Sequence, residues 1–255
     1  MALPSFRLDG RIALVTGASS GLGQRFAKVL VDAGATTVGI AARRRDRLDQ
    51  LASDLGPAAI PLTIDVTDPA SIAAGLDTLE ESAGGRATVI VNNAGIADPK
   101  GFLKAQRSDT EAVFATNQMA VFEVAQQTAQ RMIDHGDAGS IINISSITGL
   151  RAVGGAASYA ASKAAVAHLT KVQALECARH GIRVNALAPG YIATDMNADF
   201  LATDAGAALI RRIPLQRSGT AEDLDGALLL LASDAGAFIT GAVLPVDGGH
   251  LTASL

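Results

Sequence analysis

The stretch "RIALVTGASSGLGQRFAKVLVDAG" (11–34) decides the fold. Its first six residues are mostly apolar and read as a strand (11–16). Residues 23–34 place apolar side chains at helical spacing and end on Gly34, a glycine C-terminal cap. Between them, Gly17, Gly21 and Gly23 make a turn that leaves a strand and opens a helix. Glycines there permit a tight turn and a close approach to a pyrophosphate, and the helix N-terminus offers unpaired N–H groups and the positive end of its dipole. The spacing is G-x-x-x-G-x-G rather than G-x-G-x-x-G, so on its own it is also compatible with a ligand-free βα connection.

The same alternation continues outward. Strands are expected at 36–42, 59–66, 87–95 (with a turn), 139–146, 182–189 and 242–247. Helices are expected at 45–56, 68–84, about 108–134, about 158–180 and 221–233, and residues 190–219 read as irregular or weakly helical. Asp68 is placed to cap the third helix, with Pro69 in its first turn. Strands apolar on both faces alternating with helices predict one parallel sheet covered on both sides. No linker, repeat or low-complexity tract interrupts the pattern, so a single domain over 1–255 is expected.

Composition narrows the function. The chain has 255 residues, is 49% hydrophobic and 18% charged, and carries a net charge of −4. That excludes a disordered chain and gives no basic face for nucleic acid. The single cysteine, Cys177, cannot form an intrachain disulfide, which fits a reducing compartment. The N-terminus shows no signal-peptide pattern, and the apolar stretch 224–246 is broken by Asp225, Asp234 and glycines. A cytoplasmic location with no membrane span is expected.

The end of the second strand bears on the cofactor. Dinucleotide sites for NAD place an acid there to hold the ribose hydroxyls. Here the strand runs into Ala41, Ala42, Arg43, Arg44 and Arg45, with no carboxylate. Arg43 is placed to meet a 2′-phosphate, which favours NADP(H) and leaves NAD(H) possible. A solvated basic helix start accounts equally for Arg45 and Arg47.

The helix "SYAASKAAVAHL" (158–169) carries Tyr159, one of two tyrosines in the chain, and Lys163. Residues four apart on a helix have Cβ atoms about 5–6 Å apart. A tyrosine of ordinary pKa, near 10, is a poor acid or base at neutral pH, and a nearby ammonium is expected to lower that value. An incidental pair is the alternative.

With these residues in place, the chain resembles the short-chain dehydrogenase/reductase family over essentially its whole length. "TGASSGLG", Asp65–Val66, "NNAG" (92–95), the serine–tyrosine–lysine set and Pro189–Gly190 stand in the family's order and spacing. The resemblance implies a three-layer, doubly wound (Rossmann) parallel sheet of about seven strands, with helices on both faces. It also implies hydride transfer between a nicotinamide and a ketone or secondary alcohol.

Residue by residue, it implies cofactor contacts from Gly17, Ser19, Ser20, Gly21, Leu22 and Gly23 in the turn. Arg43 follows strand two, and Asp65 with Val66 lies beside the adenine. Asn93, Ala94 and Gly95 follow strand four, with Asn92 steadying the sheet; Asn93 and Asn143 also read as structural. Pro189, Gly190, Ile192 and Thr194 embrace the nicotinamide. The implied catalytic set is Asn117, which holds a water, Ser146, which orients the carbonyl oxygen, Tyr159, the proton donor, and Lys163. Tyr159 and Lys163 also touch the cofactor.

Other polar residues read more plainly. Ser145 is a strand-end residue, Tyr191 packs after the turn, and Asp195 caps a short helix. His135, His168, His180 and His250 lack metal-ligand spacing, so no catalytic metal is expected. Three segments should form the substrate pocket: 96–104, 147–155 and a lid at about 191–213. Ile147, Leu150, Val153, Met196 and Phe200 make it mainly apolar. Arg151 either steers an anion or serves a surface or interface role. The family implies a homotetramer or homodimer through the two long helices. The leading expectation is an NADP(H)-dependent carbonyl reductase of the 3-oxoacyl-reductase-like sort. An NAD-dependent dehydrogenase of a sugar or secondary alcohol, and a non-catalytic dinucleotide sensor, stand as alternatives.

Overall fold

The computed structural model describes residues 5–194 and 198–253. Asp195 and Met196 lie outside the described residues. Seven strands form the sheet among those described: β1 (Ile12–Thr16), β2 (Thr37–Ala42), β3 (Ala59–Thr63), β4 (Val89–Asn92), β5 (Gly139–Ile144), β6 (Ile182–Pro189) and β7 (Val243–Val246). Their order is β3-β2-β1-β4-β5-β6-β7, and every pairing is parallel. The order reverses between β1 and β4, which opens a crevice beyond their C-terminal ends. Ligands of open α/β sheets bind at such a switch point.

Helices cover both faces, as two apolar clusters show. On one side α1 (Gly21–Asp32), α2 (Arg45–Leu55) and α9 (Asp225–Ala232) bring Phe26, Leu30, Leu48, Leu51 and Leu228 onto the sheet. On the other, α3 (Pro69–Ala83), α5 (Ala120–His135) and α6 (Ala157–Cys177) contribute Ile72, Leu76, Val124 and Met132, with Ala174. Small residues let α6 lie close to β6. The three-layer expectation holds.

Local chemistry explains most boundaries. Asp68 accepts from the Ala70 N–H at 2.9 Å, with Pro69 opening α3. Gly34 follows the end of α1 at φ +93°, beyond reach for most side chains. No described helix is long and apolar enough to cross a membrane.

One stretch departs from the sequence expectation and another takes a definite form. The helix expected near 108–134 is α4 (Arg107–Phe114), a π-helical turn (Ala115–Met119) and then α5. A π turn widens the helix by one residue and often marks a functional position. The stretch expected to be irregular or weakly helical, 190–219, holds two short helices, α7 (Ala198–Leu201) and α8 (Asp204–Ile210). Its base is closed by Ala193 N–H to Gly219 O (2.8 Å) and Gly219 N–H to Tyr191 O (2.9 Å).

Candidate active site

The glycine turn is held by close backbone approach and by one side-chain clamp. Gly17 has φ +67°, and a Cβ there would stand 2.7 Å from the Ala94 Cα. A Cβ on Gly23 would overlap the Gly17 carbonyl oxygen. Asn93 clamps the turn: its Nδ2 donates to the Thr16 carbonyl (3.0 Å) and the Gly17 carbonyl (3.3 Å), and its N–H donates to Thr16 Oγ1 (3.0 Å). The turn after β4 therefore grips the turn after β1. Beyond it, α1 begins at Gly21 with no side-chain cap and no acid in its first turn. An uncapped helix start behind a glycine cradle fits a pyrophosphate.

The ends of β2 and β3 flank that cradle. Arg43 is exposed. The side chain that reaches the turn is Arg44, whose Nη2 donates to Ser19 Oγ (2.9 Å) and Ser20 Oγ (3.2 Å). Sequence reasoning chose Arg43 from the run of three arginines; only the fold shows that the next one turns back over the cradle. Asp65 accepts from the Thr67 N–H (2.9 Å) and Thr67 Oγ1 (2.7 Å), and these bonds hold its carboxyl below the usual range.

The polar residues expected at the reaction centre converge. Asn117 is fully buried in the π turn. Its Oδ1 accepts from the Ile96 N–H (2.8 Å), and its Nδ2 donates to the Ile96 carbonyl (2.9 Å) and Ser162 Oγ (3.1 Å). A Cβ on Gly95 would lie 3.3 Å from Asn117 Oδ1 and 3.6 Å from Lys163 Nζ, so β4's turn, the π turn and α6 meet at one point. Lys163 is 4% exposed, and its Nζ donates to the Ile144 carbonyl at 2.8 Å. Ser145 donates to the Lys163 carbonyl (2.9 Å), so the strand end pins the helix backbone as well. Ser146 accepts from the Thr148 N–H (3.2 Å) and Thr148 Oγ1 (3.0 Å), and it faces the Tyr159 hydroxyl closely enough to favour its ionised form.

Buried Ser146 and Lys163 and half-buried Tyr159 gather beyond a glycine cradle in a β3-β2-β1-β4-β5-β6-β7 sheet, and the chain is similar to known proteins over its whole length. Residues 17–250 match the family described as enoyl-(acyl carrier protein) reductase. The chain is 38% identical to the 3-oxoacyl-[acyl-carrier-protein] reductase of Thermotoga maritima, covering 95% of this chain and 98% of that one. It is 40% identical to the gluconate 5-dehydrogenase of Gluconobacter oxydans, covering 98% of each. The crystal structure of a gluconate 5-dehydrogenase from Burkholderia cenocepacia, in complex with NADP and tartrate, superposes with a TM-score of 0.93 at 40% identity over 100% of both chains. The chain belongs to the short-chain dehydrogenase/reductase family. It is an NAD(P)-dependent oxidoreductase acting on CH–OH and C=O groups.

Within that family assignment, one electrostatic expectation needs correction. Lys163 was expected to lower the Tyr159 pKa. The tyrosine is instead raised: burial dominates, and only Ser146 opposes it. The ammonium lies 5.7 Å from the ring centroid and spends a hydrogen bond on Ile144. Burial also lowers Lys163 to about 8, because a desolvated ammonium is disfavoured. Spacing alone brought the two residues together but could not reveal which neighbour holds the lysine.

The remaining expected positions sort as follows. Ile192 pairs with Gly219 at the lid's base, and Gly190 presses on Asp247, where a Cβ would be 2.7 Å from the Asp247 Cα. Asn92 donates to Asn143 Oδ1 at 2.9 Å, a sheet-steadying bond. Asn93 proves to be a clamp on the turn. Arg151, open between anion steering and a surface role, binds carbonyls of the chain's own tail. Asp98 and Ser158, both buried beside Tyr159's helix start, were not anticipated; the sequence carries no periodic signal for them.

Proposed function

We propose that this enzyme reduces a ketone to a secondary alcohol with NADPH, and runs in reverse with NADP, on a substrate with an apolar arm. The observation that carries the reaction is the meeting of Asn117 and Lys163 at Gly95, with the Tyr159 ring 5.7 Å from the Lys163 ammonium and Ser146 beside that tyrosine. The cofactor, when bound, donates or accepts the hydride. Gly17, Ser19, Ser20, Gly21, Leu22 and Gly23 would hold its phosphates, and Asp65, Val66, Ala94 and Gly95 would flank it. Pro189, Gly190, Ile192 and Thr194 would close over its reactive end.

Tyr159 holds the proton that the carbonyl oxygen receives, and Ser146 donates a hydrogen bond to the same oxygen. Burial keeps Tyr159 protonated at neutral pH, which suits a donor in the reducing direction. Lys163, anchored on Ile144, supplies a desolvated positive charge that favours the phenolate left behind. Asn117 keeps the π turn and the Ile96 backbone locked, so a water can be held beside Lys163. Replacing Tyr159 by Phe should cut turnover by about 10²–10⁴-fold, with NADPH affinity unchanged. Near-normal turnover would end this mechanism.

NADP(H) is supported by the absence of an acid at the end of β2 and by Arg43 and Arg44 around the cradle. A homologue crystallised with NADP adds weight. The apolar arm is supported by exposed side chains on all three substrate segments: Phe102 and Leu103, Leu150 and Val153, and Phe200. The 40% identity to gluconate 5-dehydrogenase favours a second reading, oxidation of a sugar acid. A panel of 3-oxo esters and keto sugar acids with NADPH and NADH, followed by nicotinamide absorbance, separates the two. A panel with no turnover would return the dinucleotide-sensor alternative. Exposed Met119, Phe122, Val172 and Leu175 on or beside α5 and α6 support a homodimer or homotetramer through those helices.

A further inference from the structure

We propose that Arg151 is a positioning residue whose guanidinium latches the C-terminal tail onto the segment after Ser146, so that the tail, through His250, fixes Tyr191 at the base of the lid and forms one wall of the substrate pocket. This rests on the reading of the 147–155 segment and the lid as the substrate side of the site.

The latch is built from strong contacts. Arg151 Nη1 donates to the His250 carbonyl (3.1 Å), and Nη2 donates to those of Leu251 (2.6 Å) and Ala253 (3.0 Å). Those carbonyls belong to a short 3₁₀ turn (His250–Thr252) and the residue after it, and the His250 carbonyl also accepts from the Ala253 N–H (3.3 Å). A planar fork can span three carbonyls at once, which an ammonium cannot. The base of the latch is fixed as well. Arg151 sits two residues after Gly149, which lies so close to α6 that a Cβ there would stand 2.6 Å from the Lys163 carbonyl carbon.

The tail is tied at its other end too. Asp247 accepts from the N–H groups of Gly249 (2.9 Å) and Leu251 (2.7 Å), and the Leu215 N–H donates to the Gly248 carbonyl (3.2 Å). The tail therefore bridges the 147–155 segment and the end of the lid. From that bridge the His250 ring lies against Tyr191, with centroids 5.5 Å apart and planes tilted by 35°. Tyr191 in turn closes the base of the lid, its carbonyl accepting from the Gly219 N–H (2.9 Å). A guanidinium committed to three backbone carbonyls is poorly placed to steer a substrate anion.

The chain has two tyrosines and no tryptophan, so tyrosinate absorbance reports Tyr159 and Tyr191 alone. In a Tyr159→Phe background only Tyr191 titrates. Burial holds it above its usual value, with His250 on one side and Arg217, Asp223 and Asp247 lining a small cavity on the other. Adding Arg151→Ala should release the tail and move the Tyr191 midpoint down by about half a pH unit or more, toward 10. Arg151→Lys should shift it in the same direction. An unchanged midpoint overturns the proposal.

In the otherwise native enzyme with NADPH, Arg151→Ala should raise KM about tenfold for ethyl acetoacetate and for 5-keto-D-gluconate alike, whichever is turned over, with kcat within about threefold. His250→Ala should do the same, and the double variant should add no more than about twofold, since both act on one path. A loss confined to the anionic 5-keto-D-gluconate would assign Arg151 to anion steering instead. A loss that tracks a change in sedimenting mass, with Tyr191 unmoved, would assign it to a subunit contact. If neither compound is reduced, the substrate reading fails while the Tyr191 titration still decides the latch.

Discussion

The two ends of the site are built by different means. At the cofactor end, the turn after β1 is fixed by close backbone approach, Gly17 on Ala94 and Gly23 on the Gly17 carbonyl, and by the Asn93 side chain bonded to the Thr16 and Gly17 carbonyls. At the substrate end, 191–219 is a closed excursion carrying two short helices, with Phe200 and Leu215 left exposed. The first arrangement tolerates almost no change of residue. The second leaves its apolar side chains free to meet a ligand. A shared nucleotide with a varied second substrate asks for that division, since loops on a rigid scaffold carry specificity.

The sharpest way to break this contrast is at Gly23. An alanine there must push the Gly17 carbonyl aside, and a misplacement of about 1 Å in a positioning element costs on the order of 10²-fold. Gly23→Ala should therefore weaken NADPH binding by about 10²-fold or more, read by quenching or enhancement of nicotinamide fluorescence. A variant that binds NADPH within about threefold of native would show that the turn is softer than its overlaps indicate.

Next in size is the pair of arginines beside the cradle. Arg44 already reaches Ser19 and Ser20, and Arg43 is exposed next to it. A hydrogen bond to a charged group contributes about 1.5–3 kcal/mol, so Arg44→Ala should lower NADPH affinity about 10- to 100-fold and leave NADH within about twofold. Arg43→Ala should act in the same direction. Equal losses for both cofactors would place Arg44 as a support of the turn and not a reader of the 2′-phosphate.

These outcomes bear on what the sequence can disclose. The doubly wound sheet was legible because each strand is a short apolar run and each helix has its own start and stop, as at Asp68–Pro69 and Gly34. The glycine turn was legible because close approach admits few residue types, and the Tyr159–Lys163 pair by its helical spacing; Asn117 and Ser146 could be picked out only by the family's order and spacing, and the fold then brings Asn117 and Lys163 together at Gly95. Arg44 was not, since three adjacent arginines differ only in where the chain aims them. The raised Tyr159 pKa was hidden because burial depends on what packs around the ring, not on the residue four places away. The lid helices were legible only as weak helical character because each is too short to stand alone; α8 relies on the Thr203 cap (3.1 Å to the Gly206 N–H) and on Gly206 pressed against Phe200 and Leu201. The latch was invisible for the same reason, since Arg151 and its tail partners lie about a hundred residues apart.

Lys163 sits where the two ends meet and gives an intermediate effect through pH. Its pKa is about 8 in the folded chain, against roughly 10.4 when unfolded. Between those values the unfolded chain binds a proton that the folded one does not, so this residue adds stability as pH rises from about 8 to about 10 and withdraws it as pH falls. The raised tyrosines act oppositely, but only from about pH 10, their unfolded value, upward, and they are common to the native enzyme and Lys163→Met. Urea unfolding of the native enzyme and Lys163→Met across pH 8–10 should therefore diverge by up to about 1 kcal/mol per pH unit, with the native enzyme gaining. A difference that stays flat would mean that Lys163 keeps its proton in the folded state.

The smallest effect is expected at the lid. Phe200 is 42% exposed and lies on α7, a four-residue helix, so truncating it removes little packing in the resting protein. If the lid folds over an apolar substrate arm, the ring's worth appears only when substrate is present. Phe200→Ala should leave the melting temperature within about 1 °C, because substitutions away from the core usually stay within about 0.5 kcal/mol. It should raise KM about threefold for a 3-oxo ester with a long acyl chain, and by less for a short one, since each buried methylene contributes about 0.8 kcal/mol. A KM change independent of chain length would separate Phe200 from the substrate arm. A large loss of stability would mean that the lid is part of the scaffold after all, and the contrast between the two ends would narrow to Gly17 and Gly23.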